Sequence, residues 1–227
     1  VLTRCTIFPS PDVNHACLLR TSPEAADALI DEISAYFQSQ ELAPTVFLSP
    51  ACTPKDLSKR LEAHGFIRQE SEEAWMVLDI RNLPIPELYP TVPIQQITKQ
   101  DALTFAEVFM EAFEMPTEAA PAMAQLLEPS INLPGFHHYL ARVGGQPVGT
   151  CSLICYKTVG ILGSAGVVPA HRRSGAVTNL TVTAIMEARR GGVEALILQT
   201  AAGTLLERLL SISGFKKLFT RVCYTMP

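Results

Sequence analysis

Residues 167–178 read Val167-Val168-Pro169-Ala170-His171-Arg172-Arg173-Ser174-Gly175-Ala176-Val177-Thr178, and this stretch decides the fold. An apolar strand is predicted before it, over residues 161–168, and an amphipathic helix is predicted after it. A turn between a strand and a helix points backbone N–H groups at one spot, where the helix dipole favours negative charge. Gly175 allows close approach of the backbone because it has no Cβ, and Arg172 and Arg173 can add charge-assisted hydrogen bonds. The stretch therefore predicts a site that can hold a pyrophosphate.

The spacing of these residues resembles the acetyl-CoA site of the GNAT superfamily of N-acetyltransferases, which reads V-x-P-x-x-(R/Q)-x-x-G-x-(G/A). Val167, Pro169, Arg172 and Gly175 match that pattern, whereas Val177 stands where the family has glycine or alanine. A β-branched side chain at position 177 either crowds the first helical turn or points into the core. Without the resemblance, the same residues also fit an ordinary strand–loop–helix turn that carries a solvated pair of arginines.

The resemblance implies which residues contact acetyl-CoA, the cosubstrate of the family. The pantetheine arm is expected along the strand edge at residues 165–168, and the backbone N–H groups of residues 173–177 are expected on the phosphate oxygens. The hydroxyl of Thr178 is expected to add a further contact. The cofactor-binding residues implied in this way are Gly166, Val167, Val168, Arg172, Arg173, Ser174, Gly175, Ala176, Val177 and Thr178.

Composition narrows the class of protein. The chain has 227 residues, of which 48% are hydrophobic, and this content suffices for a packed core. Its net charge of −4 argues against general binding to nucleic acid or to an anionic membrane. No apolar run approaches the ~18–20 residues of a membrane span. We therefore expect neither nucleic acid nor a membrane as a partner. No signal peptide is visible, but the chain begins at Val1, so missing residues before it are left open.

Six cysteines are scattered along the chain, at positions 5, 17, 52, 151, 155 and 223. None of them forms a C-x-x-C pair, and no cluster of histidine and cysteine has the spacing of a zinc site. We expect reduced thiols, no bound metal and a cytoplasmic location. A homodimer is left open.

The order of predicted elements over residues 92–227 is β-α-α-β-β-β-α-β-α-β, which is the GNAT order. Strands are predicted at residues 93–97, 139–143, 148–155, 161–168 and 195–200, and the last strand or strands end at Thr225. Helices are predicted from Thr98, with Asp101 in a capping box, at residues 118–127 and 204–210, and after the loop, where Gly191-Gly192 ends the helix. The strand at residues 195–200 is expected to be buried on both faces. The resemblance implies an α+β fold, a mixed and mostly antiparallel GNAT-like sheet flanked by helices.

The N-terminal half repeats part of this plan. Strands are predicted at residues 16–19, 45–48 and 74–80, helices start at Ser22-Pro23 and Thr53-Pro54, and Gly65-Phe66 ends the second helix. Helix, strand, helix, Gly-Phe and strand also follow one another in residues 177–225. We therefore interpret the chain as a tandem GNAT-like protein whose first copy is partial and degenerate. Two unrelated α/β stretches are the alternative.

The predicted organisation is a partial GNAT-like domain at residues 1–81, a proline-rich linker at residues 82–92 and a GNAT acetyltransferase domain at residues 93–227. The strand-to-helix junction of the first copy, at residues 19–24, lacks glycine, and Glu24 would repel a pyrophosphate. We therefore expect the second copy alone to bind acetyl-CoA.

Side chains for acid–base catalysis are hard to find in this sequence. The family often places a proton-donating tyrosine on the helix before its Gly-Phe pair, and counting back from Gly214-Phe215 puts Leu210 or Leu206 there. The strand at residues 160–168 carries no Glu, Asp or His, so the usual carboxylate base is missing as well. The catalytic residues stay unknown, and the remaining candidates are Tyr156, Tyr224 and Glu114.

The sequence thus predicts a GNAT-type acyltransferase that transfers an acetyl group from acetyl-CoA to an amine by direct attack in a ternary complex. Turnover is expected to be slow, with water relaying the proton, because positioning alone still lowers the barrier. A non-catalytic CoA-binding or regulatory module is the alternative, and a structural partner domain without cofactor is a third hypothesis. The acceptor stays open between a small amine, an amino acid, an antibiotic and a protein N-terminus.

Overall fold

The computed structural model describes residues 1–8, 10–84 and 91–227, and its elements group into two units. The first unit combines Val1–Met76 with Gln199–Pro227, and the second is Val77–Leu198. These two units are defined by packing, whereas the domains predicted from the sequence are defined by an internal repeat. The units therefore do not test the predicted domain boundaries, which stay a prediction. Residues 85–90 of the predicted linker lie outside the described residues.

Within the described residues there are ten strands and six α-helices. The strands are β1 Leu2–Thr3, β2 His15–Cys17, β3 Thr45–Leu48, β4 Ile67–Asp79, β5 Ile94–Gln96, β6 Phe136–Val143, β7 Gln146–Tyr156, β8 Val159–Val167, β9 Ala195–Ala201 and β10 Lys216–Thr225. The helices are α1 Ala26–Gln38, α2 Leu57–Ala63, α3 Ala102–Ala112, α4 Ala120–Leu127, α5 Ala176–Arg190 and α6 Leu205–Ile212. From β5 onwards this is the predicted order of elements.

In the first unit the strand order is β1-β2-β3-β10-β4. Strand β2 runs parallel to β3, whereas β1 pairs with β2 and β10 pairs with β3 in antiparallel fashion. Helices α1 and α2 supply the apolar side chains of its core, which include Ile30, Ile33, Phe37, Leu57 and Leu61.

Three element starts in this unit differ from the prediction. Helix α1 begins at Ala26 and α2 at Leu57 because turns occupy the residues before them, where Ala25 N–H donates to Ser22 O and Leu57 N–H to Pro54 O. Strand β4 begins at Ile67 rather than Ala74. Its first residues are mostly polar and exposed, so they lack the apolar alternation that marks a strand in a sequence.

In the second unit the strand order is β9-β8-β7-β6-β5. Strands β5 to β8 form antiparallel pairs, and β8 runs parallel to β9. The predicted hairpin joins β6 to β7, and Gly144 and Gly145 have φ angles of 57° and 84°, as a primed turn requires. The predicted capping box is also present, since Thr98 N–H donates to Asp101 Oδ2 over 2.9 Å. The mixed, mostly antiparallel sheet flanked by helices is therefore confirmed.

Helices α3 and α5 bury apolar side chains against this sheet. Helix α5 ends at Gly191-Gly192, as predicted, and Gly192 has a φ of 79°. The prediction that residues 195–200 are buried on both faces is wrong. Leu196 and Leu198 are buried, but Ala195 and Ile197 are only half-buried and Gln199 is exposed, so the core covers one face of β9. The apolar side chains that the two helices bury include Phe105, Met110, Leu180, Ala184, Ile185 and Ala188.

Candidate functional site

The predicted phosphate loop joins β8 to α5 and presents backbone donors. A short 3-10 turn at Pro169–His171 follows the strand, and Gly175 forms the N-cap of α5 with a φ of 85° and a ψ of 0°. That left-handed conformation favours glycine, because a Cβ would crowd the following carbonyl. Helix α5 has 15 residues, so its dipole places partial positive charge at this end.

The backbone N–H groups of this loop divide into used and unused donors. Ser174 N–H donates to His171 O over 3.0 Å, and Ala176 N–H donates to Ser174 Oγ over 3.3 Å. Within the described residues, the remaining donors have no hydrogen-bond partner, namely the N–H groups of Arg173, Gly175, Val177 and Thr178. The prediction that all N–H groups from 173 to 177 face a phosphate is therefore too broad, because the loop uses two of them to hold its own shape.

Arg172 and Arg173 differ in their surroundings. Arg172 Nη2 lies 2.7 Å from Glu114 Oε1, and the same nitrogen donates to Ala112 O over 3.4 Å. Arg173 is exposed, and within the described residues it forms no ion pair. Val177 is also exposed, at 46%, so its side chain does not point into the core. Of the two arginines, Arg172 is therefore the one that connects the phosphate loop to the end of α3.

Glycines allow α3 and β7 to approach β8 closely. A Cβ on Gly166 would lie 2.7 Å from Phe113 Cε2 and 3.1 Å from Ala112 Cβ. A Cβ on Gly149 would lie 3.0 Å from Gly166 O. Gly166 therefore packs directly under the end of α3. Because it has no side chain, β8 contacts α3 at this point through its backbone.

Strand β8 has a β-bulge and an unpaired edge. The register with β7 shifts between Thr150↔Gly166 and Ser152↔Gly163, and Ser164 has a φ of 51°. Thr150 Oγ1 donates to Ser164 O over 2.7 Å and holds the bulge in place. The parallel pairing with β9 ends at Ile161↔Ile197. Among the residues that the structure describes, β8 beyond Ile161 therefore has no strand paired to it on the side away from β7, as the predicted pantetheine edge requires.

The three catalytic candidates lie in different places. Tyr156 is 72% exposed and pairs with Val159, at the opposite end of β8 from Val167, about 26 Å away along an extended strand. Tyr224 belongs to the buried core of the first unit, where burial raises its pKa. Glu114 lies next to the loop and has a φ of 56°. Of the three, Glu114 alone is brought to the loop, and there it forms the ion pair with Arg172.

The leucines at the expected tyrosine position lie on α6 in the first unit. Leu206 is 55% exposed, whereas Leu210 is half-buried. Cys155 is partly buried, and burial raises the pKa of its thiol. A raised pKa disfavours the reactive thiolate.

A buried polar network on β6 and β7 escaped sequence reasoning. His138 Nδ1 lies 2.8 Å from Ser152 Oγ, and His138 Nε2 lies 2.9 Å from Ser130 Oγ. Burial, followed by the nearby charge of His137, lowers the pKa of His138 to about 4. A signal was present in the sequence, because His138 and Ser152 are polar residues next to apolar stretches of β6 and β7, and the structure buries both.

A membrane-spanning helix and a metal-binding cluster are both absent from the described residues. None of the helices in residues 1–8, 10–84 and 91–227 combines the length and apolar character that crossing a membrane demands. In the same residues, His, Cys, Asp and Glu side chains form no group of three or more that could hold a metal ion. All six cysteines are free.

Comparison with known proteins gives one family and many similar folds. A model of the acetyltransferase (GNAT) family matches residues 103–210, a range that includes β8, the loop and α5. A GCN5-related N-acetyltransferase from Kribbella flavida superimposes with a TM-score of 0.68 at 20% identity, over 92% of this chain and 78% of that chain. The chain has the GNAT acetyltransferase fold. No curated protein matches its sequence.

Two further solved structures extend the likeness. A functionally unknown conserved protein from Staphylococcus epidermidis ATCC 12228 has a TM-score of 0.73 at 14% identity, over 99% of this chain and 89% of that chain. A tandem GNAT protein from the clavulanic acid biosynthesis pathway has a TM-score of 0.67 at 15% identity, over 87% of this chain and 68% of that chain. These similarities establish the GNAT fold, and the roles of individual residues stay predictions.

Proposed function

We propose that this GNAT-fold protein is an acyl-CoA-dependent N-acetyltransferase, which transfers an acetyl group from acetyl-CoA to an amine by direct attack in a ternary complex. The observation that carries the proposal is the set of unpartnered backbone N–H groups at Arg173, Gly175, Val177 and Thr178, at the start of a 15-residue helix. Such a helix start binds phosphate groups through its N–H groups and its dipole.

The residues around this helix start fit acetyl-CoA. The diphosphate would be held by the unpartnered N–H groups, with the Arg172 guanidinium and the Thr178 hydroxyl beside them. The pantetheine amides would bind to the free backbone edge of β8 beyond Ile161. Gly166 lets the end of α3 pack closely on β8 beside that edge, because a Cβ there would collide with Phe113. These assignments support binding of one cosubstrate along β8 and onto the loop.

The acetyl transfer needs little from the protein beyond the positioning of the amine and the thioester. The amine nitrogen forms a bond to the acetyl carbon, the C–S bond breaks, and the sulfur leaves with the bonding electrons. A thiol with a pKa of about 8.5 is a tolerable leaving group. Holding two reactants together supplies ~7–11 kcal/mol in favourable cases, and general acid–base catalysis adds ~10²–10⁴-fold. Slow turnover is therefore expected without a dedicated proton donor.

The second candidate function is a non-catalytic CoA-binding or regulatory module. It is favoured by the leucines at positions 206 and 210, because neither can donate a proton to the departing thiolate. In that case the loop and β8 would keep their binding role while turnover is lost.

The tandem organisation is proposed together with the enzyme. Helix, strand, helix and strand follow one another in α1, β3, α2 and β4, as they do in α5, β9, α6 and β10. The likeness to a tandem GNAT protein, at 15% identity, supports the idea without assigning that protein's pathway to this chain. The cytoplasmic location and a homodimer stay predictions of the same kind.

Two measurements on the purified chain test the proposal. Calorimetry should detect acetyl-CoA binding, and a thiol reagent should detect CoA release with at least one member of a panel of small amines, amino acids, aminoglycosides and peptides. Binding without release at any pH between 6 and 10 would leave the binding module as the function. Absence of binding would exclude both candidate functions.

A further inference from the structure

A chain of hydrogen bonds inside the second unit ends at a serine on β7. Ser130 Oγ donates to Leu127 O over 2.7 Å, and His138 Nε2 lies 2.9 Å from Ser130 Oγ. A serine hydroxyl has one hydrogen, so Ser130, which gives it to Leu127, accepts from the Nε2–H of His138. A neutral imidazole then has no hydrogen on Nδ1. Ser152, whose Oγ lies 2.8 Å from Nδ1, is therefore the donor in the last bond.

The imidazole of His138 is neutral in this arrangement. Burial lowers its pKa, and His137 is the charged neighbour that lowers it further. Helix α3 packs the ring of Phe105 edge-on against it, with centroids 5.8 Å apart. Strand β7 contributes Ser152, and the turn after α4 contributes Ser130, so within the described residues no carboxylate contacts the ring. A neutral histidine can take up a proton.

His138, Ser152 and Gly163 stand in one row across three strands. His138 pairs with Ser152, and Ser152 pairs with Gly163. Residues directly opposite each other in an antiparallel pair point to the same face of the sheet. A Cβ on Gly163 would meet no atom within 4 Å, so the space beside Ser152 is open on that face. The row therefore runs from a buried histidine to an opening at the unpaired edge of β8.

The opening lies where a bound thioester is expected. The bulge at Ser164 is next to Gly163 and about 13 Å along the strand from Val168, where the phosphate loop begins. That distance is comparable to the reach of an extended pantetheine arm. An amine that attacks the thioester from this face would therefore enter over Gly163, beside the Ser152 hydroxyl.

We propose that Ser152 and His138 relay the proton that the acceptor amine loses, a proposal that rests on the acetyltransferase function proposed above. Ser152 points its hydrogen at His138 and so presents its lone pairs to the amine N–H. Ser152 is the catalytic residue of the pair, and His138 is the base that acts through it. The acceptor is a primary or secondary amine small enough, at its reacting end, to enter beside Phe113 and Gly163.

The proton and electron balance is complete without another reactant. The amine lone pair forms the C–N bond, and the C–S electrons leave on sulfur. The amine proton moves to Ser152 Oγ while the Ser152 proton moves to His138 Nδ1, and Nε2–H stays on Ser130. The proton then returns through Ser152 to the thiolate, which departs as the thiol. The low pKa of His138, about 4, makes the proton uptake uphill and brief, and the return is favourable because a thiol, with a pKa of about 8.5, is a weaker acid than the imidazolium.

A matched pair of variants separates the relay from a structural role. His138→Gln keeps an amide that can donate to Ser130 and accept from Ser152, but the amide takes up no proton at neutral pH. His137→Gln makes the same change one residue earlier, on the opposite face, where His137 stacks on Tyr139. With an amine that the wild type accepts, His138→Gln should lower kcat about 100-fold while acetyl-CoA affinity and KM stay unchanged. His137→Gln should change kcat far less, because it removes only a secondary influence on the pKa of His138 and keeps the relay itself.

Two substitutions of Ser152 form a second matched pair of variants. Their readout is the solvent isotope effect on kcat, which would not change if Ser152 served only in packing. Ser152→Ala should lose kcat as His138→Gln does, and Ser152→Thr, which keeps a hydroxyl, should recover most of it. The solvent deuterium isotope effect on kcat should be clear in the wild type and in Ser152→Thr, and smaller in Ser152→Ala. If His138→Gln does not fold, the two Ser152 variants still test the proton relay.

The outcomes distinguish the relay from the function on which it rests. Wild-type turnover together with unchanged kcat in Ser152→Ala and His138→Gln overturns the relay and leaves the acetyltransferase standing. Equal losses in His138→Gln and His137→Gln also overturn it, because the effect would then be structural. If the wild type releases CoA with no amine, the proposed function fails and the relay fails with it.

Discussion

Arg172 already has an anionic partner before any cosubstrate binds. Its guanidinium contacts the Glu114 carboxylate at 2.7 Å, and both side chains are more than half exposed. An exposed ion pair of this kind is worth only ~0.2–1 kcal/mol. A diphosphate, with more charge and with the backbone donors of the loop beside it, can therefore replace the carboxylate. Arg173 forms no such ion pair with any residue that the structure describes.

The two arginines should differ when each is removed. Arg172→Ala should weaken acetyl-CoA binding by ~1.5–3 kcal/mol, the range for hydrogen bonds to charged groups. Arg173→Ala should cost less, because its side chain is solvated and forms no ion pair within the described residues. Calorimetric titration of both variants with acetyl-CoA measures the difference. Unchanged affinity in both would show that the loop is not the cosubstrate site.

Removing the competing carboxylate should have the opposite effect. Glu114→Gln leaves a side chain of the same size but frees Arg172, so acetyl-CoA should bind tighter by up to ~1 kcal/mol. The gain should shrink as salt is added, because exposed charges are screened. Glu111→Gln, a similar change on α3, is the control. If Glu114→Gln abolishes turnover while binding improves, Glu114 is a catalytic residue after all.

His138 should make stability depend on pH in a defined window. Its pKa is about 4 in the folded chain and about 6.5 when unfolded, so between these values the unfolded state binds more protons. The free energy of unfolding should therefore fall as the pH drops from about 6.5 to about 4, by up to ~3 kcal/mol from this residue. Burial also lowers the pKa of His15, so His138→Gln must be compared with the wild type. The difference in free energy of unfolding between the wild type and His138→Gln should narrow as the pH drops from about 6.5 to about 4. If urea unfolding gives the same difference at every pH in this range, the lowered pKa of His138 is contradicted.

At the scale of elements, the start of α5 depends on one backbone conformation. Gly175 has a φ of 85°, and the residues around it leave several N–H groups unpartnered. A left-handed conformation costs a residue with a Cβ ~1–2 kcal/mol. The alignment of the donors and the stability of the helix start therefore both rest on this glycine.

Replacement of Gly175 should separate the two effects. Gly175→Ala should lower the free energy of unfolding by ~1–2 kcal/mol and weaken acetyl-CoA binding as well. Gly192→Ala is the matched control for stability, since Gly192 also has a positive φ, a Cβ there meets no atom within 4 Å, and the residue follows the other end of α5. Thermal unfolding with and without acetyl-CoA reports both quantities. Full retention of the ligand-induced shift in melting temperature in Gly175→Ala would contradict a role of this turn in binding.

Elements of this kind could be foreseen to different degrees. Gly144-Gly145, Gly191-Gly192 and the Thr98–Asp101 box act through local chemistry, so their positions in the sequence sufficed to place a turn, a helix end and a helix start. The bulge at Ser164 was not predicted, because it depends on how β7 pairs with β8, which no local pattern records.

The same distinction applies to the site. The loop was found from spacing within a dozen residues. The ion pair of Arg172 with Glu114 and the bonds of His138 to Ser130 and Ser152 were missed, because each joins residues from separate elements. Val177 was left between two orientations, since the side of a helix that faces solvent is settled only by what packs on it.

At the scale of the whole molecule, the two halves of the chain differ at corresponding junctions. Two backbone donors of the junction before α1 have local partners, since Thr21 N–H donates to Thr53 O and Ala25 N–H donates to Ser22 O, but within the described residues the N–H groups of Ala26 and Asp27 have none. Glu24 lies in this junction, and a hydrogen bond from Ser22 lowers its pKa, so it stays ionised at neutral pH. A carboxylate at a helix start occupies the position in which the dipole would otherwise favour a phosphate. The second junction instead has a left-handed glycine, Gly175, and Arg172, and the first turn of its helix carries no acidic residue.

This difference predicts one acetyl-CoA per chain. Calorimetry should give a single binding event with a stoichiometry near one, and Arg172→Ala combined with Gly175→Ala should abolish it. Glu24→Gln should leave the isotherm unchanged, because the junction before α1 also lacks a glycine that would let a phosphate approach its backbone. A stoichiometry near two, or a binding event that survives the double substitution, would mean that the first half of the chain holds a site of its own. The interpretation of that half as a degenerate copy without cosubstrate would then be wrong, even if the acetyltransferase activity of the second half were established.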